Sequence, residues 1–420
     1  MEILALRTYY RPEITAGVHL MDDIVDALAD NNIKTVIYTP IPSRGVSKEV
    51  RKEYKNKKIE LSRGDLIEIH RFTMFAENTQ FVFRTIRYLF CSFVEYLKGI
   101  KEDNIDIVYC SSTPPFLGIV GTLISKKLSK KYKKKVPFIY NLQDVFPDSL
   151  INTNMTHEGS LIWKLGRKIE DYTYKNADKI IVISEGMKRN ILNKGVPSDK
   201  IVVISNWIDL DSVQPVNRKD NTLITEFDID TNIFIVVYAG NFGDVQGADI
   251  ILKAAETLQD KNIEFVIFGG GARFVEAKDY VQSRHLQNIK IFDLQPQERV
   301  SEVYSLGDVA LITCKPGTGN AGMPSKTWSI MACNTPIIAS FDTKSDLAEV
   351  LEASNAGKCV KAGDVTALEE AILNAYSLWD KGSLPKLNLR AYVQKNASKS
   401  ECTKKYVEVL KEFEGLGKNE

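Results

Sequence analysis

Twelve short apolar runs alternate with helical patterns along this chain, in two sets of six, and that alternation restricts the fold to parallel sheets built from βαβ units. The first set falls near residues 2 to 6, 33 to 38, 105 to 110, 136 to 141, 179 to 183 and 201 to 204. The second falls near 233 to 239, 263 to 268, 289 to 292, 308 to 312, 336 to 339 and 358 to 360. Between them the stretch 206 to 230, with Asp209, Asp211, Pro215 and a run of polar residues, reads as a hinge. A chain of 420 residues exceeds what one hydrophobic core serves, so two α/β domains are expected, over 1–205 and 206–390. The last segment, 391–420, is expected to hold an amphipathic helix that packs back on the first domain.

Charge and cysteine usage exclude several classes. Lys and Arg number 55 against 54 Asp and Glu, so no global field favours nucleic acid. The six cysteines, at 91, 110, 314, 333, 359 and 402, form no CxxC pair, and four histidines give no zinc-ligand spacing. They read as reduced packing residues of a cytoplasmic protein. The chain opens on a strand with no basic leader before it, and no uncharged apolar run reaches the roughly 18 residues a membrane span needs.

The chemistry is concentrated in the second half. From Gly317 to Ala339 a Gly-rich loop leads through Met323, Pro324, Ser325 and Lys326 into a small-residue helix and a strand. Such a loop offers backbone N–H groups and a helix dipole to a diphosphate, with Lys326 adding a full charge. Glycines before a helix also serve as plain turn punctuation. Two more strand-to-glycine turns, ending in Gly240-Asn241-Phe242-Gly243 and Gly269-Gly270-Gly271, point to one crevice beyond the carboxyl ends of the strands.

Seven motifs in fixed order give this chain a family likeness: YYRPEITAG at 9–17, SSTPPFLG at 111–118, YNLQDVFPDSL at 140–150, ADKIIVISEGM at 177–187, ISNWIDLD at 204–211, YAGNFGDVQG at 238–247, and Met323 to Ala339. The chain resembles glycosyltransferase family 4, the retaining group, in the surface-polysaccharide branch that includes L-fucosamine transferase-like proteins. The resemblance implies a GT-B fold, two Rossmann-like, doubly wound parallel-sheet domains facing a cleft. It implies a hexose or N-acetylaminohexose carried from a nucleoside-diphosphate sugar, UDP-linked, to a polyprenyl-diphosphate-linked saccharide of a capsule, O-antigen or related glycan. No cofactor and no metal enter this plan. The paired aspartates Asp209/Asp211 and Asp228/Asp230 also match the metal motif of the other large transferase fold, but they do not follow core strands.

The chain departs from the family where its chemistry is densest. Alignment on Met331-Ala332-Cys333 puts Ala321 and Ser329 where the family carries two glutamates, and Asn241 and Gln246 where it carries Arg and Lys against the donor diphosphate. Lys326 is the replacement cation, with Arg273 a second candidate or else a surface residue. The donor-binding set implied is Gly17, Asn241, Gly243, Gly269, Gly270, Arg273, Phe292, Leu294, Met323, Pro324, Ser325, Lys326 and Ser329. Asp144, just after a strand, is the candidate to orient the sugar or accept the acceptor's proton, its alternative being a turn aspartate before Pro147. Glu13 and His19 flank Gly17 on the acceptor side, His19 with helix-surface placement as its alternative.

Two basic and aromatic segments bear on partners. Residues 81 to 94 interleave aromatics with Arg84 and Arg87, and 126 to 135 hold seven lysines. A buried helix and a solvated helix end would explain them; so would an anionic membrane surface, which puts a lipid-linked acceptor and peripheral binding to the inner face of the plasma membrane among the expectations. An acceptor-independent nucleotide-sugar epimerase and a non-catalytic scaffold of a polysaccharide machine stay open as alternatives.

Overall fold

Strands form where apolar and β-branched residues run unbroken, because a central parallel strand is covered on both faces. The computed structural model describes residues 1–15, 17–77, 80–152, 156–319, 322–385 and 387–415. The chain divides into two units, one of Met1–Asn206 with Cys402–Glu420, the other of Trp207–Glu401.

In the first unit the strands are β1 (Glu2–Leu6), β2 (Lys34–Pro40), β3 (Ile59–Ser62), β4 (Ile67–Phe72), β5 (Ile107–Ser111), β6 (Phe138–Leu142), β7 (Lys179–Val182) and β8 (Ile201–Val203). Their order is β3-β4-β2-β1-β5-β6-β7-β8, parallel except for β3 against β4. The strand order reverses between β1 and β5, which are hydrogen-bonded neighbours. Such a switch point splays the following loops apart and opens a crevice at the carboxyl ends.

The second unit has β9 (Phe234–Asn241), β10 (Ile263–Gly270), β11 (Ile289–Asp293), β12 (Val309–Thr313), β13 (Ile337–Phe341) and β14 (Gly357–Lys361), in the order β11-β10-β9-β12-β13-β14 and all parallel. Here the reversal falls between β9 and β12.

The stretch 206 to 230 is not a free hinge. Ile208 bridges to Ser398, Leu210, Val213, Leu223 and Ile229 are buried in the core of the second unit, and Arg390 donates to the carbonyls of Val213, at 2.6 Å, and Leu210. Four apolar residues spaced through the polar run supply the anchoring. The closing helix, Lys399–Lys411, sets Tyr406 in the first unit, where its hydroxyl donates to Asn141 Oδ1 at 3.2 Å.

Candidate functional site

At the switch point of the second unit, β9 runs into Gly240 and β12 leads to the helix Lys326–Ala332. The Lys326 ammonium lies across the end of β9, donating to the Ala239 carbonyl at 2.8 Å and standing 4.4 Å from the centre of the Tyr238 ring. A Cβ on Gly240 would come within 2.3 Å of that nitrogen, so a side chain there would push the lysine's tip from this position. Burial pushes the Lys326 ammonium down from 10.5 to about 8, and among the described residues no carboxylate is set against it. A desolvated cation without a counter-ion favours an anion that brings its own charge.

The neighbouring turns are laced together. Phe242 N–H donates to the Gly270 carbonyl at 2.6 Å, and Arg273 N–H to the Phe242 carbonyl at 2.9 Å. Gly271, at φ +105°, would set a Cβ 1.8 Å from Asn241 Oδ1. Asn241, Gly243, Gly269 and Gly270 therefore gather at the ends of β9 and β10, and exposed Leu294 lies beside Gly270.

Other members of the sequence-derived donor set lie elsewhere. Phe292 stacks with Phe227 at 4.2 Å and with Phe268 at 5.7 Å, Met323 packs on the core, and Ser329 is buried in its helix. Arg273 opens the helix Phe274–Ser283 with its guanidinium 3.2 Å from Glu276 and 3.9 Å from Asp244, so acidic side chains already balance its charge. Pro324 and Ser325 enter the helix Lys326–Ala332, whose first turn receives no side-chain cap. The Gly-rich loop is less open than its composition suggests, because Asp342 accepts the Gly317 and Gly319 N–H groups at 3.0 and 2.7 Å. Ala321 lies outside the described residues.

The first unit carries a cavity of about 380 Å³ at its own switch point, bounded by Arg7, Gly17, Arg44, Ser111, Asn141 and Asp144 among others. Arg7 follows β1 and donates to Ser111 Oγ, at the end of β5, at 2.9 Å. Burial lowers its pKa below the ordinary arginine value. Asn141 closes the floor, donating to the Tyr109 hydroxyl at 2.7 Å and accepting from Gln143 Nε2 at 2.9 Å.

Asp144 stands at this cavity with its backbone N–H given to Ser112 Oγ at 3.1 Å. Its side chain reaches solvent from a crowded concave wall, and the crowding raises its pKa above the ordinary aspartate value, with the Asp148 charge adding to the rise and Ser149 opposing it. Glu13 takes a different part from the one its place in the sequence suggests. Its carboxylate, 3% exposed, accepts from Ser43 N at 2.8 Å, Arg44 N at 3.0 Å and Tyr10 N at 3.2 Å, so it braces two loops and leaves no face for an acceptor. His19 projects outward from the helix Val18–Asp30. The paired aspartates sit in turns: Asp209 Oδ1 accepts from Asp211 N, and Asp230 Oδ1 from Asn232 N.

Arg7, Ser112, Asn141, Tyr238 and Asp342 are site residues that sequence reasoning passed over. Ser112, Asn141 and Tyr238 lie inside the quoted motifs, and Arg7 lies two residues before one. Asp342 reaches back 25 residues to Gly317, a pairing no local pattern announces.

Comparison with known proteins gives these two crevices a family. Residues 17–212 match the Glycosyltransferase Family 4 model and 220–400 match Glycosyl transferases group 1. The chain is 26% identical over 275 residues to the putative colanic acid biosynthesis glycosyl transferase WcaI of Escherichia coli K12, covering 64% of this chain and 66% of that one. It is 25% identical over 295 residues to the probable glycosyltransferase WbjE of Pseudomonas aeruginosa, covering 70% and 71%. Among solved structures, Anabaena Alr3699/HepE in complex with UDP aligns with a TM-score of 0.70 at 14% identity, over 98% of this chain and 100% of that one. A glycosyltransferase from Rickettsia africae aligns at 0.68 and 17%, over 98% of both chains. Two parallel-sheet units with these two domains in series place the chain among the GT-B glycosyltransferases.

Proposed function

We propose that the protein transfers a hexose or N-acetylaminohexose from a UDP-sugar to a lipid-linked saccharide in the assembly of a surface polysaccharide, with retention at the transferred carbon. The observation that carries this reading is the Lys326 ammonium at the switch point of the second unit, desolvated and, among the described residues, with no carboxylate against it. As the bond from the sugar's anomeric carbon to the diphosphate breaks, negative charge gathers on the leaving phosphate. A cation already partly stripped of water stabilises that charge with little reorganisation.

On the acceptor side, the cavity of the first unit holds the saccharide, and Asp144 receives the proton of the attacking hydroxyl. A carboxyl with a raised pKa is a better proton acceptor once ionised, which suits that task. Arg7, part-buried beneath the cavity, favours an acceptor carrying an acidic group. The relatives named for colanic acid biosynthesis and, in Streptococcus pneumoniae, as an alpha-galactosylglucosyldiacylglycerol synthase favour glycan or glycolipid acceptors. The reading is tested by calorimetric titration with UDP, GDP and TDP. UDP is expected to bind more tightly than the other two, and failure of every nucleoside diphosphate to bind would refute the donor assignment.

A further inference from the structure

The helix Phe81–Gly99 is inside out. Phe83, Ile86, Leu89, Phe90 and Phe93, with Val82 and Leu97 at the ends, are each at least 40% exposed. Arg87, Ser92 and Glu95 face inward at 4% exposure or less. At about 100° and 1.5 Å per residue, the apolar side chains fill one arc of roughly 120° along about 22 Å. A helix on a soluble domain buries its apolar stripe and exposes its charges, so this orientation needs a cover.

The stripe does not end with its own helix. The helix Phe116–Tyr132 packs between Phe81–Gly99 and the helix Leu161–Asn176. Leu123 is exposed on the first neighbour, and Leu161, Ile162 and Leu165 on the second. Exposed lysines fringe the patch: Lys126, Lys127 and Lys130 on one helix, Lys164 and Lys168 on the other. Apolar patches of this extent on a monomer mark an interaction surface.

We propose that this three-helix face seats the protein on an anionic lipid bilayer, with the aromatic stripe lying in the interface and the lysines over lipid phosphates. Charge chooses the bilayer over a second copy of the chain. A two-fold interface sets a patch against itself, which here would bring lysine to lysine, whereas anionic headgroups complement the fringe. Among the described residues no helix is long and apolar enough to cross a membrane, so the stripe lies along the surface.

The placement has a consequence for the acceptor. The three helices come after β4, β5 and β6, and helices between parallel strands begin near the strands' carboxyl ends, where Arg7, Ser111 and Asp144 line the cavity. A saccharide anchored in that bilayer is therefore presented near the cavity mouth. This last step rests on the proposed transfer, while docking itself does not.

Flotation of the full chain with vesicles of phosphatidylglycerol and phosphatidylethanolamine, against phosphatidylcholine alone, tests the docking. Binding is expected to the anionic vesicles and to weaken with salt. The variant Phe83→Ser/Phe90→Ser/Phe93→Ser is expected to bind at least about tenfold more weakly. Lys126→Glu/Lys127→Glu/Lys130→Glu is expected to lose roughly a hundredfold on anionic vesicles. UDP titration of the same samples should be unchanged, which shows that the fold is intact and separates this proposal from the donor assignment. Absence of wild-type binding, or equal binding by the serine variant, overturns the proposal. A stable dimer that the serine variant dissociates, without vesicle binding, overturns it in favour of a second copy.

Discussion

Replacing Lys326 by methionine is expected to strengthen the fold and weaken nucleotide binding together. The ammonium's pKa falls from 10.5 to about 8 on burial. At 1.36 kcal/mol per pH unit, the charged form costs the folded state about 3 kcal/mol at neutral pH. The hydrogen bond to Ala239 and the Tyr238 ring offset about 1 to 2 kcal/mol of this, and the partial exposure of the residue lowers it further. A net gain of about 1 kcal/mol should remain in the variant, read as a rise of about 2 to 4 °C in melting temperature.

The pH dependence carries its own sign. The folded pKa lies below the unfolded one, so between about pH 8 and 10.5 the unfolded chain holds the extra proton. This group's contribution to wild-type stability therefore rises with pH through that window, and Lys326→Met lacks the rise. Binding runs the other way, because a diphosphate needs the ammonium charged. Wild-type UDP affinity is expected to fall about tenfold from pH 7 to pH 9, and the variant to bind about ten- to a hundredfold more weakly at pH 7 with a flatter profile. Calorimetry and thermal unfolding on the two proteins provide both readouts. A variant less stable than wild type that binds UDP equally well would contradict the assignment of Lys326 to the diphosphate.

Asp144→Asn should lower kcat by about 10² to 10⁴ while leaving UDP affinity near wild type, and the wild-type kcat should decline on the acid side at a pH above the ordinary aspartate range, as a pH–rate profile would show. Asp342→Ala frees the N–H groups of Gly317 and Gly319, and is expected to cost about 1 to 3 kcal/mol in thermal unfolding and to weaken UDP binding through a looser loop. Gly271→Ala forces a Cβ against Asn241 at φ +105°, and should destabilise the protein by about 1 to 3 kcal/mol; an unchanged melting temperature would contradict the close approach of the two turns.

The second unit was readable in the sequence because its four central strands, β9, β10, β12 and β13, are buried on both faces, and runs such as Phe234 to Ala239 stand out against polar flanks. β3 and β4 were not. Ile59–Ser62 and Ile67–Phe72 alternate apolar with charged residues, and both fall outside the expected runs. Their signals were the period of two and the turn residues Arg63, Gly64 and Asp65, all at positive φ. At the site, glycines and Lys326 could be placed because local chain geometry sets what a strand-to-helix turn can bind. Asp342, Arg7 and the inward Glu13 could not, since each acts through a partner fixed by the tertiary fold. The helix Phe81–Gly99 shows the limit of pattern reading most plainly: periodicity identifies an apolar face but not whether core or bilayer covers it.

The most direct measurement is release of UDP from labelled UDP-sugars by the purified full chain, with and without a short polyprenyl-diphosphate saccharide. UDP release is expected to depend on the acceptor, to be carried by one or a few donors, and to be lost in Lys326→Met and Asp144→Asn. Conversion of the sugar without acceptor would indicate an epimerase, and silence with every donor and acceptor would indicate a scaffold; either result contradicts the transferase.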